Sequence, residues 1–264
     1  AGAVPAAAGS VAALEALAGG ILITDACSSD GAMSVSNIDV STGSCPISVT
    51  RTYTVSDACG NSVNIVHLIS VDDNTAPAVT GSMTTLTVEG CNAAAAPAAV
   101  STVAALETMG VSISDVCTPD ALLSVSSSSV IAGTCPLVMT RTYVVTDVCG
   151  NSVSIIQAIN IDDNTAPVVT GSIPVTPVEG CSIASAPVAV TTVAALEALG
   201  VSIADACTPD ASLSVTSSSA SSGSCPIVIT RTYTVRDACN NSVNIIHTIN
   251  VDDNTAPVVA GTIP

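Results

Sequence analysis

The residues best suited to chemistry in this chain are acids that recur at a fixed spacing. An Asp-Asp-Asn run occupies 72–74 and returns at 162–164, each time ahead of a Thr-Ala-Pro segment. Carboxylate and amide oxygens are the ligands that hard cations such as Ca²⁺ prefer, and one ion takes several of them at once. A calcium site therefore needs further acids from other segments. The alternative is an acidic linker that contacts only water.

Catalytic chemistry has weaker support. His67 and His247 belong to one repeating pattern in which Gln157 takes the intermediate position, so one copy has no imidazole. Each His falls in the apolar phase of its segment, which predicts a half-buried, hydrogen-bonded side chain. The sequence has no Gly-x-Ser-x-Gly nucleophile motif and no glycine-rich phosphate loop. We predict that the chain is not an enzyme.

Arginine is scarce and regularly placed. Arg51, Arg141 and Arg231 each precede Thr-Tyr and share the apolar phase of their segments. An inward-facing guanidinium needs a carboxylate or carbonyl partner, so we expect structural ion pairs, with ligand binding as the alternative. The expected pairs are Arg141–Glu89 and Arg231–Glu179, or the same arginines with Asp162 and Asp252. We expect the neighbouring tyrosine to bond its hydroxyl to backbone near the start of the strand.

The elements that position these groups are strands. From residue 47 to 55, odd positions are mostly apolar and even positions are Ser or Thr. This period of two, with its β-branched residues, predicts a half-buried strand. After a turn at 59–62, the odd positions from 63 to 71 repeat the pattern, so the two segments predict a hairpin.

One segment of each copy has helical character. Residues 192–200 combine a Thr cap, good helix formers and a terminal Gly, and residues 102–110 are similar. We expect a helix of about two turns in each. The corresponding segment 10–20 carries a two-residue insertion.

The whole pattern recurs every 90 residues, as Arg-Thr-Tyr at 51–53 and Asp-Asp-Asn-Thr-Ala-Pro at 72–77 both show. Proline ends strand pairing and stiffens the linkers. We therefore predict an all-β chain of tandem β-sandwich repeats of about 90 residues, each with a short helix, joined by Pro-containing linkers into a rod. The predicted boundaries are 1–75 for a first repeat lacking its first strand, 76–165 and 166–255 for two further repeats, and 256–264 for the first strand of another.

Composition restricts the partners and the compartment. The net charge is −17, so nucleic acid and anionic lipid are not expected as partners, and no segment is predicted to insert into a membrane. The chain has 11 Cys and neither Phe nor Trp, so its thin cores need covalent support. The cysteines predict disulfides in an extracellular or cell-surface protein. Zinc binding is the alternative, but Cys-x-x-Cys is absent.

Several short motifs together resemble the hyalin-type, immunoglobulin-like tandem repeats of large secreted bacterial surface adhesins. In the third copy these are Val178-Glu179-Gly180-Cys181, Asp205-Ala206-Cys207, Gly223-Ser224-Cys225-Pro226, Thr230-Arg231-Thr232-Tyr233, Asp237-Ala238-Cys239 and Asp253-Asn254-Thr255-Ala256-Pro257. The resemblance implies immunoglobulin-like sandwiches in a structural or adhesive region of an extracellular filament or giant adhesin, serving surface attachment or gliding motility. Neighbouring repeats and an unidentified surface ligand are the implied partners.

The Asp-Asp-Asn runs also look like the linkers of calcium-dependent adhesion domains. In immunoglobulin topology the end of one domain meets the top loops of the next, where more acids lie. Calcium is thus the one candidate cofactor. The candidate ligands are Asp72, Asp73, Asn74, Asp115, Asp120, Asp147, Asp162, Asp163, Asn164, Asp205, Asp210 and Asp237. The alternative functions are a calcium-dependent carbohydrate- or protein-binding module and an enzyme accessory domain.

Immunoglobulin topology also implies a disulfide pattern. Four cysteines per repeat allow three pairings. Cys135 and Cys149 flank one long strand, about 45 Å apart, and are not expected to bond. The expected disulfides, all within one repeat, are Cys27–Cys59, Cys91–Cys135, Cys117–Cys149, Cys181–Cys225 and Cys207–Cys239.

The two ends of the chain complement each other. Residues 256–264 match 166–174, the opening strand of a repeat, and the first repeat lacks that strand. The sequence is either a window in a longer tandem array, or the tail of one molecule completes the first domain of the next by strand addition. The second explanation leaves Cys45 unbonded under the expected pairing, which favours the longer array.

Overall fold

The computed structural model describes residues 4–17 and 19–261 of the chain. The chain forms two compact units, one of residues 1–84, 99–128 and 141–157, and the other of residues 85–98, 129–140 and 158–264. Among the described residues, no helix combines the length and apolar character that crossing a membrane requires. The predicted boundaries between repeats stay a prediction, because strands of the second repeat contribute residues to both units.

Strands make up most of the regular structure. They are β1 Ser34–Thr42, β2 Ile47–Ser56, β3 Ser62–Val71, β4 Ala78–Gly81, β5 Leu86–Glu89, β6 Val111–Ser114, β7 Ser124–Ala132, β8 Leu137–Thr146, β9 Ser152–Asp162, β10 Val168–Gly171, β11 Thr176–Glu179, β12 Val201–Ala204, β13 Ser214–Ser222, β14 Ile227–Arg236 and β15 Ser242–Asp252. The helices are α1 Val11–Glu15, α2 Val103–Glu107 and α3 Val193–Glu197, with 3₁₀ turns at Asp30–Ala32, Ala93–Ala95, Asp120–Leu122, Ile183–Ser185 and Asp210–Ser212.

The sheets confirm an all-β fold of tandem immunoglobulin-like β-sandwich repeats. The third repeat has a four-stranded sheet in the order β11-β15-β14-β13 and a two-stranded sheet of β10 and β12. The second repeat has the same two sheets, β5-β9-β8-β7 and β4-β6. Within the described residues, the first repeat has one sheet, β1-β2-β3. Strand β11 runs parallel to β15, whereas β10 and β12 are antiparallel.

The predicted hairpin is present in the first compact unit. Strands β2 and β3 pair in register from Ile47 with Val71 to Ser56 with Ser62. Alternate residues of β2 are buried, with Tyr53 only 1% exposed. This burial confirms the period of two that the sequence predicts.

The helices are shorter than predicted, at five residues each. The predicted caps are correct: the Thr192 hydroxyl accepts a hydrogen bond from the Ala195 N–H, and Thr102 and Ser10 act in the same way. In α3 the Glu197 carboxylate accepts the N–H of Ile203 at 3.0 Å, and Gly200 has a φ of +114°. These interactions turn the chain from α3 into β12, which ends the helix early.

The core of the third repeat, in the second compact unit, lies between α3 and the two sheets. Leu196 is fully buried there and belongs to one cluster with Ile173, Ile203, Tyr233 and Ile245. No Phe or Trp contributes to this core, because the chain contains neither. Each leucine on the buried face of a helix therefore carries a large share of the apolar burial.

We predict that Leu196→Ala lowers the free energy of unfolding by about 2–5 kcal/mol, because it leaves a cavity in the apolar cluster that surrounds this fully buried side chain. Denaturant unfolding with the disulfides intact measures this change. Val188→Ala is the control, since Val188 is 90% exposed and should change stability by less than about 0.5 kcal/mol. Equal effects of the two substitutions would contradict the burial of α3.

Candidate functional site at the repeat junctions

Charged and sulfur-containing groups come together at two junctions between consecutive repeats. The first junction consists of the linker 72–77 and the loops 115–118 and 147–151, all in the first compact unit. The second junction consists of the linker 162–167 and the loops 205–208 and 237–241, all in the second compact unit. Only residues 163–167 separate the end of β9 from the start of β10.

The disulfides join consecutive repeats. Cys45 bonds to Cys149 at the first junction, with a Cα separation of 5.1 Å. Two disulfides form at the second junction, Cys91–Cys207 and Cys135–Cys239, with Cα separations of 4.8 and 5.3 Å. Each of these three disulfides links a cysteine of one repeat to a loop cysteine of the next repeat.

The predicted disulfides within repeats are therefore wrong. Cys91–Cys135, Cys117–Cys149 and Cys207–Cys239 do not form, because Cys91, Cys135, Cys149, Cys207 and Cys239 bond across the junctions. Cys27–Cys59 and Cys181–Cys225 do not form either, and these four cysteines are exposed free thiols. The prediction treated each repeat as a closed domain, whereas the short linker brings the loops of the next repeat within bonding distance.

Cys45 was absent from the predicted disulfides, although the sequence contained a signal for it. Cys45, Cys135 and Cys225 share one position of the repeat, and Cys59, Cys149 and Cys239 share another. The observed bonds Cys45–Cys149 and Cys135–Cys239 both connect the first position to the second in the following repeat. Their common sequence separation of 104 residues is the regularity that reveals the pairing.

Asparagine side chains attach each linker to the loop that follows it. The Asn241 side-chain amide donates to the backbone carbonyl of Asp163 at 2.7 Å, and Asn151 donates to that of Asp73 at 2.9 Å. Both Asn side chains also bond to an Asp of their own loop, Asp237 or Asp147, at 2.8 Å. The loop conformation thus points the amide at the linker, a role that the sequence did not indicate.

Glu89 and Glu179, which occupy equivalent positions of the second and third repeats, accept hydrogen bonds from the linkers. Glu179 accepts hydrogen bonds from the backbone and side chain of Asn254 at 3.0 Å and from the Thr255 hydroxyl at 3.1 Å. Glu89 binds Asn164 and Thr165 in the same way. The predicted ion pair of Arg231 with Glu179 is therefore wrong: Glu179 binds the linker, and Arg231 donates to the Ser219 hydroxyl instead.

The buried arginines find partners on the neighbouring strand. Arg231 donates to the Ser219 hydroxyl at 3.3 Å. Arg51 forms a two-pronged ion pair with Asp39 at 2.7 and 2.8 Å, which lowers the pKa of Asp39 and raises that of Arg51. The Arg141–Glu89 pair stays a prediction.

The tyrosine hydroxyls bond to backbone, as predicted, but at a different place. Tyr53, Tyr143 and Tyr233 accept the N–H groups of Ala8, Val100 and Val190, at 3.1–3.4 Å. These three N–H groups lie shortly before the helices and not near the starts of the strands. Each tyrosine therefore ties the helix-containing segment to the hairpin.

Three carboxylates converge at the second junction. Asp163, Asp205 and Asp237 each place an oxygen within 4.8 Å of the others. Asp163 is 4% exposed, and its Oδ2 is buried without a hydrogen-bond partner. Burial raises the pKa of Asp163, and the nearby charges of Asp205, Asp237 and Glu89 raise it further. A carboxylate that is both buried and surrounded by negative charge is the kind of group that a cation stabilises.

The first junction has a related cluster of different composition. Here Asp73, Asp115 and Cys117 offer ligand atoms within 4.8 Å of one another. The Oδ2 of Asp73 is also buried without a hydrogen-bond partner. The pKa of Asp73 is lowered, however, chiefly because the Thr75 hydroxyl donates to its Oδ1 at 2.6 Å. In the second junction the corresponding Thr165 hydroxyl donates to Glu89 instead, so Asp163 lacks this compensation.

The remaining predicted calcium ligands lie outside these two clusters. Asp72 and Asp162 lie beside the disulfides, 3.4 Å from the Cys45 sulfur and 3.3 Å from the Cys135 sulfur. Asp120 and Asp210 begin 3₁₀ turns, and neither belongs to a described cluster of metal-ligating groups. The Asn164 side chain donates to Glu89, Asn74 is exposed, and Asp147 holds the 147–151 loop.

The histidine of the third repeat is hydrogen-bonded, as predicted, but it is fully buried and not half-buried. His247 is 3% exposed, and its Nε2 lies 2.7 Å from the Thr176 hydroxyl. Burial, together with the charge of Arg231, lowers its pKa. Its counterpart Gln157 in the second repeat lies 3.5 Å from the Tyr143 hydroxyl.

No protein-family model matches the chain, and no curated protein matches it either. Among solved structures, the chain is similar to the protocadherin gammaB7 EC3-6 cis-dimer structure, with 14% identity and a TM-score of 0.27 over 84% of this chain and 66% of that one. It is also similar to the protocadherin gammaB4 extracellular domain (13%, 0.29, 82% and 45%) and to Drosophila N-cadherin EC1-4 (10%, 0.31, 79% and 58%). This protein covers less than two thirds of the length of each of these cadherin structures. At such low scores the fold assignment rests on the strand pairing of this chain alone.

The linker glutamates predict acid sensitivity. Hydrogen bonds from Asn254 and Asn164 lower the pKa values of Glu179 and Glu89. A lowered folded-state pKa stabilises the fold above the unfolded-state value, near 4.3, and this contribution is lost as the pH falls through the folded-state pKa. We expect Glu89→Gln with Glu179→Gln to reduce the drop in melting temperature between about pH 5 and pH 3. If the melting temperature of the double variant fell by as much as that of the native chain, the hydrogen bonds of these carboxylates to the linkers would not contribute to acid sensitivity.

Proposed function

We propose that the chain is a structural and adhesive repeat region of an extracellular or cell-surface protein, of the kind that its resemblance to hyalin-type adhesin repeats implies. The observation that carries this proposal is that disulfides join consecutive repeats. A covalent bond across a junction transmits tension without unfolding the repeats on either side. Such bonds persist in an oxidising, extracellular environment.

The route that force takes through the chain follows from the disulfide pattern. Tension that enters at the first repeat passes from Cys45 to Cys149, returns along β8 to Cys135, and crosses to Cys239. Only residues 1–45, 135–149 and 239–264 lie on this route. The rest of the chain is shielded from tension, which suits a stalk that holds a surface ligand away from the cell.

Single-molecule pulling from both ends tests this function. With the disulfides intact, we expect full extension to reach roughly a third of the contour length of the reduced chain, since each extended residue contributes about 3.6 Å. Reduction should release the remaining length. If the oxidised and reduced chains extend equally, the junctions do not carry force and the structural proposal fails.

A calcium-binding role at the junctions is the second candidate function, favoured by the buried, unpartnered Oδ2 of Asp163. Asp163, Asp205 and Asp237 would hold the ion, and oxygens from water would complete its coordination. A bound cation would neutralise the repulsion among these carboxylates and fasten the linker to the loops of the next repeat.

We predict that calcium raises the melting temperature and that a chelator reverses the effect. Calcium at one hundred times its dissociation constant would add about 2.7 kcal/mol of stability. Asp163→Asn should remove most of this response, because it deletes a charge at the centre of the cluster. Asp210→Asn is the matched control, since Asp210 lies outside the cluster. Identical melting curves of the native chain with calcium and with chelator would rule out the site.

A further inference from the structure

Arg231 is a buried cation of the third repeat that has only a neutral partner. It is 8% exposed, and its Nε donates to the Ser219 hydroxyl at 3.3 Å. Within residues 4–17 and 19–261, no carboxylate forms an ion pair with it. A guanidinium cannot relieve the cost of burial by losing its proton, because arginine stays protonated in folded proteins. The charge of Arg231 therefore calls for an anion from outside the chain or for water.

The first repeat shows which group completes such an environment. Arg51 occupies the position of Arg231 and lies opposite Asp39 in the pairing of β1 with β2. The two Asp39 carboxylate oxygens accept from Nε of Arg51 at 2.7 Å and from Nη2 at 2.8 Å. In the pairing of β13 with β14, the residue opposite Arg231 is Ser219. A serine replaces two charged oxygens by one neutral oxygen on a shorter side chain.

A cavity lies beside Arg231 at the place where the first repeat holds the carboxylate. Its volume is about 160 Å³, and it is lined by Arg231, Ser219, Ser221, Ala220, Ile229, Ile183 and Ala186. A water molecule requires only about 10–15 Å³ of such space, so a small organic anion fits. Residues 219–221 are exposed, so the cavity can be reached from solvent.

The charges around the cavity match an anion with a single negative charge. Arg231 is the charged member of the set of described residues that line it. His247 lies opposite Arg231 in the pairing of β14 with β15. Burial, together with the charge of Arg231, lowers the pKa of His247, so its imidazole is neutral at neutral pH. One positive charge is therefore available, and a monoanion balances it.

We propose that the third repeat binds a carboxylate anion at Arg231 and Ser219, in the place that the Asp39 side chain occupies in the first repeat. The two oxygens of the ligand accept from Nε and Nη2 of Arg231, as those of Asp39 accept from Arg51. The Ser219 hydroxyl no longer accepts from Nε and donates to the same anion. A planar group with two oxygens fits this fork better than a spherical ion does.

The net charge of −17 does not exclude an anion site of this kind. At physiological salt, exposed charges more than about 8 Å away are largely screened, whereas a buried pair in contact is screened much less. The acidic surface therefore opposes nucleic acids and anionic lipid surfaces, which contact many charges at once. It has little effect on a single small anion inside the cavity.

The two histidines of the chain provide a separate signal for each of two repeats. His247 lies opposite Arg231 and His67 lies opposite Arg51, whereas the second repeat has Gln157 at this position. Proton NMR of the imidazole C–H groups therefore reports on the third and first repeats alone. The variant His67→Gln assigns the two signals.

We expect sodium formate to shift the His247 signals in a saturable way and to leave those of His67 in place, because Asp39 already occupies the first site. For an ion of three non-hydrogen atoms, the tightest dissociation constant is on the order of 1 mM, so the shift should be half complete at millimolar formate. Sodium chloride at equal ionic strength and neutral formamide are the controls. Unmoved His247 signals would refute the site, and an equal response to chloride would refute a carboxylate as its ligand.

Ser219→Asp tests the location of the site without removing the arginine. The new carboxylate should pair with Arg231 as Asp39 pairs with Arg51, and the His247 response to formate should be lost. Ser218→Asp is the matched control, because successive side chains of a strand point to opposite faces and Ser218 does not line the cavity. A formate response that survives Ser219→Asp, or that both variants lose equally, would overturn the assignment.

Asp39→Ser is the reciprocal experiment in the first repeat. It gives Arg51 the serine partner that Arg231 has, so the His67 signals should acquire a response to formate. A folded variant whose His67 signals ignore formate would contradict the equivalence of the two sites. If this variant does not fold, the loss of response in Ser219→Asp decides the question alone.

The carboxylate can belong to a free small acid or to an acidic sugar at a surface, and the exposed serines at the cavity admit either. A titration with glucuronate separates these sources. Half-saturation at a concentration at least tenfold lower than with formate would assign the site to a uronic acid, and equal or weaker binding would assign it to a small acid. The site does not involve the junctions, so its failure would leave the pulling experiment and the proposed structural function unaffected.

Discussion

The short linker between consecutive repeats is the constraint on which the other junction contacts depend. With residues 163–167 as the only connection between β9 and β10, the 205–208 and 237–241 loops lie directly against the end of the preceding strands. That distance allows the Asn241 amide to reach the Asp163 carbonyl. It also places Cys91 and Cys135 against their partners, so the disulfides follow from the linker length.

Thin cores explain why covalent bonds lie at the junctions. A sandwich built from Val, Ile, Leu and Ala around a single tyrosine buries little apolar surface, and long stretches of its outer strands are exposed. A disulfide that closes a loop of about 100 residues stabilises the folded chain by about 4–5 kcal/mol in the chain-entropy account. The bonds here close loops of 104 and 116 residues, so each one restrains residues of two repeats at once.

Local features of the fold could be predicted from the sequence, and contacts between repeats could not. The alternation in β2 and the Thr caps depend on residues close in the chain, and both predictions are confirmed. Glu179 instead binds Asn254, 75 residues away, and Cys91 bonds to Cys207, 116 residues away. Immunoglobulin topology places Cys91 and Cys135 at one end of a repeat, but it does not say whether they face each other or the next repeat.

The linker aspartates also have properties that the sequence could not predict. The sequence places Asp73 and Asp163 at equivalent positions, and both have a buried, unpartnered Oδ2. Their pKa values nevertheless shift in opposite directions: burial chiefly raises that of Asp163, whereas that of Asp73 is lowered chiefly because the Thr75 hydroxyl donates to it. The corresponding Thr165 hydroxyl donates to Glu89. The orientation of one threonine hydroxyl therefore changes how unfavourable the ionised form of the linker aspartate is at each junction. In a tandem chain of near-identical repeats, such differences between junctions determine which of them would gain most from a bound cation.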